Sequence, residues 1–306
     1  MTIRLKNEKK WVLRPDEPQA AAKLAQDADV PAFLARLLYA RGYDTPEKAA
    51  DFLGGEELSF HDPFCLPDMD KACARIHAAV EKKERILLYG DYDVDGVSSV
   101  AALYLYLSSR GAQVCYYIPE RLSEGYGLNT AAIDRFASAG IRLIITVDTG
   151  ITAVAEASYA KEKGIDLVIT DHHECRAELP TDALAVINPK RPDSRYPFTE
   201  LAGVGVVFKL ICALDKPENL PFLCDRYLDI VSLGTVADVM PLLDENRKIV
   251  SHGLSVLNRK NANLGVRALS YAASGASAEP KKNFTASTIG FILAPRLNAA
   301  GRIGDV

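Results

Sequence analysis

Between residues 85 and 188 the chain alternates apolar runs of strand length with segments of helical period, and no other feature limits the possible folds as much. The runs cover residues 86–89, 114–118, 143–147, 167–170 and 185–187, and the helical segments between them cover 97–109, 129–139 and 153–163. Such βαβ alternation predicts an α/β fold with a parallel sheet and helices on both faces. Ahead of it, residues 30–40, 46–53 and 69–81 carry apolar side chains at helical spacing, separated by turns at Arg41-Gly42-Tyr43 and Gly54-Gly55. A helical N-terminal region over residues 1–83 is therefore expected, followed by the sheet domain over 84–245. After Asn188 the pattern turns helical at 201–214, 221–233 and 246–259, and residues 246–306 are expected to hold a connecting helix and the start of a further region.

Polar clusters recur where the predicted strands end. The first run leads into Gly90-Asp91-Tyr92-Asp93-Val94-Asp95-Gly96, whose carboxylates alternate along an extended segment and so point to one side. Their repulsion calls for a cation, unless the segment is a solvated acidic turn with Asp95 as a helix N-cap. The third run ends in Asp148-Thr149-Gly150 and the fourth in Asp171-His172-His173-Glu174. Alone, Asp148 reads as a helix cap and the histidines as a polar loop. In an open parallel sheet, however, the carboxyl ends of the strands share one edge, so the three clusters converge. A fourth carboxylate, Asp238, lies in the mainly apolar stretch 233–241, where it needs either a cation or an ion pair with Arg226 or Arg247. Oxygen and imidazole donors suit Mn²⁺ better than a thiolate zinc site, and Cys175 is read as a bystander. Asp93, Asp95, Asp148, His172 and Asp238 suffice for two ions about 3.5–4 Å apart.

Composition neither adds to nor opposes this reading. With a formal net charge of −4 the chain has no global attraction for nucleic acid, and the basic stretch 190–195 is either a solvated loop or a local phosphate contact. The six cysteines are scattered without a C-x-x-C pair, no run approaches the length of a membrane span, and the start is charged without an apolar signal core. A cytoplasmic protein with reduced thiols is expected.

The D-Y-D-V-D-G loop, Asp148 after a strand, Asp171-His172-His173 and the G-T-V-A-D run resemble the motifs of the DHH phosphoesterases. Within that group the chain resembles the RecJ single-strand-specific exonucleases of bacteria. That narrower likeness rests on Ala35-Arg36-Leu37-Leu38-Tyr39-Ala40-Arg41-Gly42, Asp62-Pro63-Phe64, residues 120–129 (ERLSEGYGLN), Leu201-Ala202-Gly203-Val204-Gly205 and residues 294–305 (APRLNAAGRIGD). The resemblance implies that residues 84–245 are the DHH catalytic domain. It makes Asp93, Asp95, Asp148, His172 and Asp238 ligands of two Mn²⁺ (or Mg²⁺) ions, with Asp148 bridging. His173 would contact the scissile phosphate, Asp171 would orient its neighbours, and Asp91 matches the motif without a settled role. Tyr89 stands where pyrophosphate-hydrolysing relatives carry a histidine, so one metal would keep an extra water. Arg302, Asn298 and Arg296 would lie near the DNA backbone, or would instead serve as caps and ion-pair partners in a tight Ala-Ala-Gly turn.

The implied activity is 5′–3′ hydrolysis of single-stranded DNA to 5′-mononucleotides in DNA repair and recombination, with a helicase or single-strand-binding protein as a further partner. Members of this family continue into a DHH-associated domain and an oligonucleotide-binding fold, so a catalytic portion without them is expected here. Two rival readings are a DHH phosphodiesterase for short oligonucleotides or cyclic dinucleotides and a non-catalytic nucleic-acid-binding relative. The latter has lost ligands that are all present in this chain.

Overall fold

The computed structural model describes residues 17–54, 58–120, 125, 127–259, 263–273 and 283–303. They divide into two compact units, residues 1–57 and 58–306. The first holds α1 (Pro18–Asp27), α2 (Ala32–Ala40) and α3 (Pro46–Leu53) around Leu24, Ala35, Leu38 and Ala49. Local chemistry bounds α3 at both ends. The Thr45 side chain accepts a hydrogen bond from the Lys48 amide, Pro46 opens the helix, and Gly54 closes it in the left-handed region.

The second unit is built on five parallel strands, β1 (Arg85–Gly90), β2 (Gln113–Tyr117), β3 (Leu143–Val147), β4 (Asp166–Thr170) and β5 (Ala185–Ile187), in the order β2-β1-β3-β4-β5. Alternate side chains serve two cores, as the period of a strand requires. Ile86, Leu88, Leu143, Ile145, Val147, Val168 and Ile187 pack with α4 (Met69–Glu81), α5 (Val94–Ser109), α8 (Gly203–Leu214) and α9 (Leu220–Ala237). Leu87, Tyr89, Ile144, Leu167, Ile169 and Val186 pack with α6 (Thr130–Ser138) and α7 (Val154–Glu162). Since α4 gives Met69, Ala72, Ile76 and Ala79 to the first of these cores, the sheet unit begins at Leu58, ahead of the sequence-based boundary at residue 84. Strand order reverses at β1, with β2 on one side and β3 on the other, so the crevice between the carboxyl ends of β1 and β3 is the switch point where such sheets bind ligands.

Helices α10 (Asp244–Leu257), α11 (Leu264–Ala273) and α12 (Ala286–Thr288) follow, then a π-helical segment Ile289–Leu293 that runs straight into α13 (Ala294–Ile303). Ala299-Ala300-Gly301 is thus helical rather than a tight turn. Alanine is the best helix former, and Ile289, Leu293 and Ala294 are buried against Val94, Leu233, Leu257 and Val266, which outweighs the cost of Gly301. Deeper in the unit, Lys209 Nζ and Glu245 Oε1 lie 2.9 Å apart with both side chains 1% exposed, pinning α8 to α10. The Tyr196 hydroxyl also donates to Glu245. Among the described residues no helix is long and apolar enough to cross a membrane.

Candidate metal centre

The loop after β1 does not stay extended. Asp93 caps α5, with Oδ1 accepting from the amides of Asp95 at 2.9 Å and Gly96 at 3.0 Å, so the chain turns helical at Val94. The N-cap is therefore Asp93, not Asp95, and the three carboxylates separate. Asp91 and Asp93 group with Asp148, whereas Asp95, in the first turn of α5, groups with His172 and Asp238. Asp95 is 2% exposed, and its two oxygens accept from the first amides of α8, Gly203 N at 2.7 Å and Val204 N at 2.9 Å. A helix N-terminus favours negative charge. Burial, and after it the charge of Asp238, nevertheless pushes the Asp95 carboxyl up to about 8.

Asp148 leaves β3 in the left-handed region at φ 59°, which aspartate tolerates better than most residues, and its amide donates to the Thr170 carbonyl at 3.0 Å. The side chain is buried 3.2 Å from His172 Nε2, and its Oδ1 has no hydrogen-bond partner among the described residues. Burial and the charges of Asp95 and Asp93 raise its pKa well above the carboxylate range. A buried, unpartnered carboxylate oxygen costs free energy that a bound cation would offset. His172 Nε2 also lies 3.6 Å from Asp238 Oδ2 and 3.8 Å from Asp95 Oδ2. Burial lowers its pKa to about 4, so at neutral pH the ring is uncharged and has an electron pair to give a metal. The donor set and the orphaned oxygen both fit divalent cations.

Asp171 organises the loop after β4. Its Oδ1 accepts from the amides of His172 (2.8 Å) and His173 (3.1 Å) and lies 2.7 Å from His173 Nδ1, while Oδ2 accepts from Ile151 N at 2.9 Å. Burial acts to raise its pKa, but the His173 contact and these amides hold it below the usual range. The same contact raises that of His173, whose ring is about half exposed. Asp238 caps the carboxyl end of α9, with its pKa raised by burial and by Asp93.

Three overlapping groups of donor atoms result: Asp148 with His172 and His173, Asp95 with His172 and Asp238, and Asp91 with Asp93 and Asp148. Every expected ligand is drawn in, together with Asp91 and His173. Tyr89 is wholly buried and donates its hydroxyl to the Gly127 carbonyl at 2.9 Å. Sequence reasoning missed the glycines that let the helices approach. A methyl on Gly203 would lie 2.4 Å from Asp148 Oδ1, and one on Gly234 would lie 2.7 Å from Asp95 Oδ1. The available signal was a glycine inside an apolar helical run, which costs about 1 kcal/mol against alanine unless close packing requires it.

The three residues assigned to the DNA backbone are engaged otherwise or lie beyond description. Asn298 Oδ1 accepts from Val94 N at 3.0 Å, tying α13 to the start of α5. Arg296 donates to the Ile292 carbonyl at 2.7 Å. The Arg302 side chain, residues 121–124 and 126 of the 120–129 segment, and residues 304–306 are outside the described residues.

The DHH family, N-terminal domain, matches residues 85–235, the span that carries every residue of the cluster except Asp238. The chain is 46% identical over 300 residues to the single-stranded-DNA-specific exonuclease RecJ of Bacillus subtilis, covering 98% of this chain and 37% of that protein. It is 36% identical over 291 residues to RecJ of Escherichia coli, covering 91% of this chain and 49% of that protein. Among solved structures, exonuclease RecJ bound to manganese superposes with a TM-score of 0.67 at 34% identity, over 78% of this chain and 59% of that one. RecJ from Thermus thermophilus in complex with Mn²⁺ does so with a TM-score of 0.76 at 29% identity, over 95% of this chain and 40% of that one. The chain thus spans between 37% and 49% of the two curated relatives' own length. From the match over residues 85–235 and the identity over nearly the whole chain, the protein belongs to the DHH family, and what it represents of RecJ is the N-terminal portion.

Proposed function

We propose that this chain carries the hydrolytic site of a divalent-metal-dependent 5′–3′ exonuclease that degrades single-stranded DNA to 5′-mononucleotides in DNA repair and recombination. One observation carries the reading: seven acidic and imidazole side chains from the ends of β1, β3, β4 and α9 meet in overlapping donor groups at the β1/β3 crevice. The substrate and the choice of Mn²⁺ or Mg²⁺ rest on the relatives, which are named as single-stranded-DNA-specific exonucleases and occur in complexes with both ions.

In this reading Asp93, Asp95, Asp148, His172 and Asp238 would hold two divalent ions, Asp148 would be the ligand shared between them, and Asp91 would support the Asp93 side. The bound ions supply Lewis acidity and charge neutralisation toward a phosphodiester and its attacking water. The α8 amides fix both oxygens of Asp95, so its orientation does not depend on the cation. Asp171 accepts the Nδ1 proton of His173 and directs the ring, so the protonated form has an Nε2–H to donate toward a phosphoryl oxygen as negative charge grows there. The raised pKa of His173 keeps that proton available. Asn298 steadies the Asp93–Asp95 turn through Val94, and with Arg296 and Arg302 it borders the path assigned to the DNA backbone. Residues 84–245 act as the catalytic domain, with α4 of the helical region 1–83 packed into its core, and 246–306 act as the connection to further domains. A helicase or single-strand-binding protein as partner, and a cytoplasmic location, complete the proposal.

The test is hydrolysis of a labelled single strand, its duplex and a cyclic dinucleotide by the purified chain, with Mn²⁺ and with chelator. Metal-dependent release of mononucleotides from the single strand is expected. Cleavage of the dinucleotide alone would transfer the site to a small-substrate phosphodiesterase.

A further inference from the structure

Helix α9 ends in a Schellman turn, with Val239 N donating to Val236 O and Met240 N to Thr235 O. That turn requires a left-handed residue just past Asp238, and glycine is the usual occupant because it has no Cβ to clash. Elsewhere in this chain glycine fills the place after α5, α6 and α7 (Gly111, Gly140 and Gly164), and Asp29 and Lys83, neither of them β-branched, fill it after α1 and α4, all at positive φ. After α9 stands Val239, at φ 59°. A β-branched residue in this region is strained, and packing gives nothing back, since the Val239 side chain is 86% exposed. Folding therefore does not account for the valine.

Position does. The preceding residue, Asp238, reaches into the metal cluster, with Oδ2 3.6 Å from His172 Nε2. The loop beyond continues apolar and exposed, with Leu243 at 48%. A phosphodiester at the cluster carries a nucleoside on each side, whose deoxyribose and base faces are apolar surfaces. We propose that Val239 is a substrate-contact residue: its side chain, held out by the left-handed turn, packs against the sugar and base of a nucleotide flanking the scissile phosphate. The inference rests on the phosphodiesterase reading above and adds to it a contact that recognises the nucleoside.

The test compares the wild-type chain with Val239→Gly and Val239→Thr, the latter keeping the branched shape. Readouts are Mn²⁺ affinity, thermal melting, binding of a fluorescent dT oligomer, and hydrolysis of that oligomer and of one with an abasic terminal sugar. Val239→Gly is expected to weaken oligomer binding and raise KM about tenfold, the low end for an apolar contact, with the smaller effect on the abasic strand. Mn²⁺ affinity and Tm should not fall, and Val239→Thr should stay near wild type. Unchanged oligomer affinity in Val239→Gly, a lowered Tm, or lost Mn²⁺ binding would each overturn the inference, the last two by giving the side chain a packing or ligand-positioning role. An oligomer that binds in a Val239-dependent way but is never cleaved would overturn the exonuclease reading alone. Failure of the wild-type chain to bind it would overturn both.

Discussion

Gly203→Ala puts the site's geometry to a direct test. The added methyl would lie 2.4 Å from Asp148 Oδ1 and 2.7 Å from its Cβ and Cγ, where ordinary contact starts at 3.4 Å. The oxygen must retreat by 3.4 − 2.4 = 1.0 Å and the carbons by 3.4 − 2.7 = 0.7 Å. Rotating the side chain does not relieve a clash at Cβ, and the backbone is tethered, with Asp148 N on the Thr170 carbonyl. The strand end must therefore move, at an overpacking cost of about 1–3 kcal/mol, or roughly 2–12 °C in Tm. A displacement of about 1 Å in a central ligand should weaken Mn²⁺ binding by about tenfold or more and slow hydrolysis by about a hundredfold. Two residues along α8, a methyl on Gly205 would meet only the Leu201 side chain at 3.3 Å, so Gly205→Ala is the matched control and should stay near wild type. Calorimetric titration with Mn²⁺, thermal melting and hydrolysis of an activated phosphodiester give the three readouts. Wild-type metal affinity and rate in Gly203→Ala would show that Asp148 does not need its observed position, and the bridging assignment would fall.

Asp148→Ala should abolish hydrolysis while the metal-free protein melts no lower than wild type, because an unpartnered buried carboxylate is removed; an active variant would refute the two-metal site. His173→Ala should lose turnover yet retain Mn²⁺, and loss of the ion would make it a ligand rather than a phosphate contact. With chelator present, stability should fall as pH rises from about 6.5 to about 8, above the range in which the lowered pKa of His172 acts the other way. Asp95 keeps its proton in the folded state up to about 8 but in the unfolded chain only to about 3.8, so the folded state is favoured at the low end of that window. Excess Mn²⁺ should flatten the slope, and a melting temperature that climbs with pH over that window in chelator would contradict the burial argument. Finally, this chain should cleave a small activated phosphodiester but degrade long single strands weakly, since a net charge of −4 offers little to neutralise backbone phosphates. Equal processivity for this chain and for one extended by the relatives' further domains, across a salt series, would refute that.

Most of the sheet was legible because apolar runs and turn residues act locally. β3 and β5 match their expected spans, β4 starts one residue earlier, and β1 and β2 differ by one residue at each end. The residues that meet in the three donor groups were legible because each follows a strand or closes a helix in sequence. What depended on distant partners was not. Reading Asp91, Asp93 and Asp95 as one extended row failed because the Asp93 carboxylate caps α5 and the helix starts at Val94, one residue before Asp95. The clamp on Asp95 comes from amides 108 and 109 residues away. Asn298, placed near the DNA backbone by resemblance with a capping role as the alternative, accepts from the Val94 amide 204 residues away, a partner no local pattern announces.

That clamp has a kinetic side. Asp95 and Gly203 come together only when the chain closes a loop of 108 residues, across four strands and the helices α6 and α7, so contacts of this range form late in folding. An unfolded or half-folded chain then has no preassembled cation site, and Mn²⁺ acts almost wholly on the finished state, adding about 2.7 kcal/mol at a hundredfold excess over Kd. Cation-dependent protection from unfolding thus reports that α8 has docked on the sheet, and a chain stalled before that step would gain nothing from the metal.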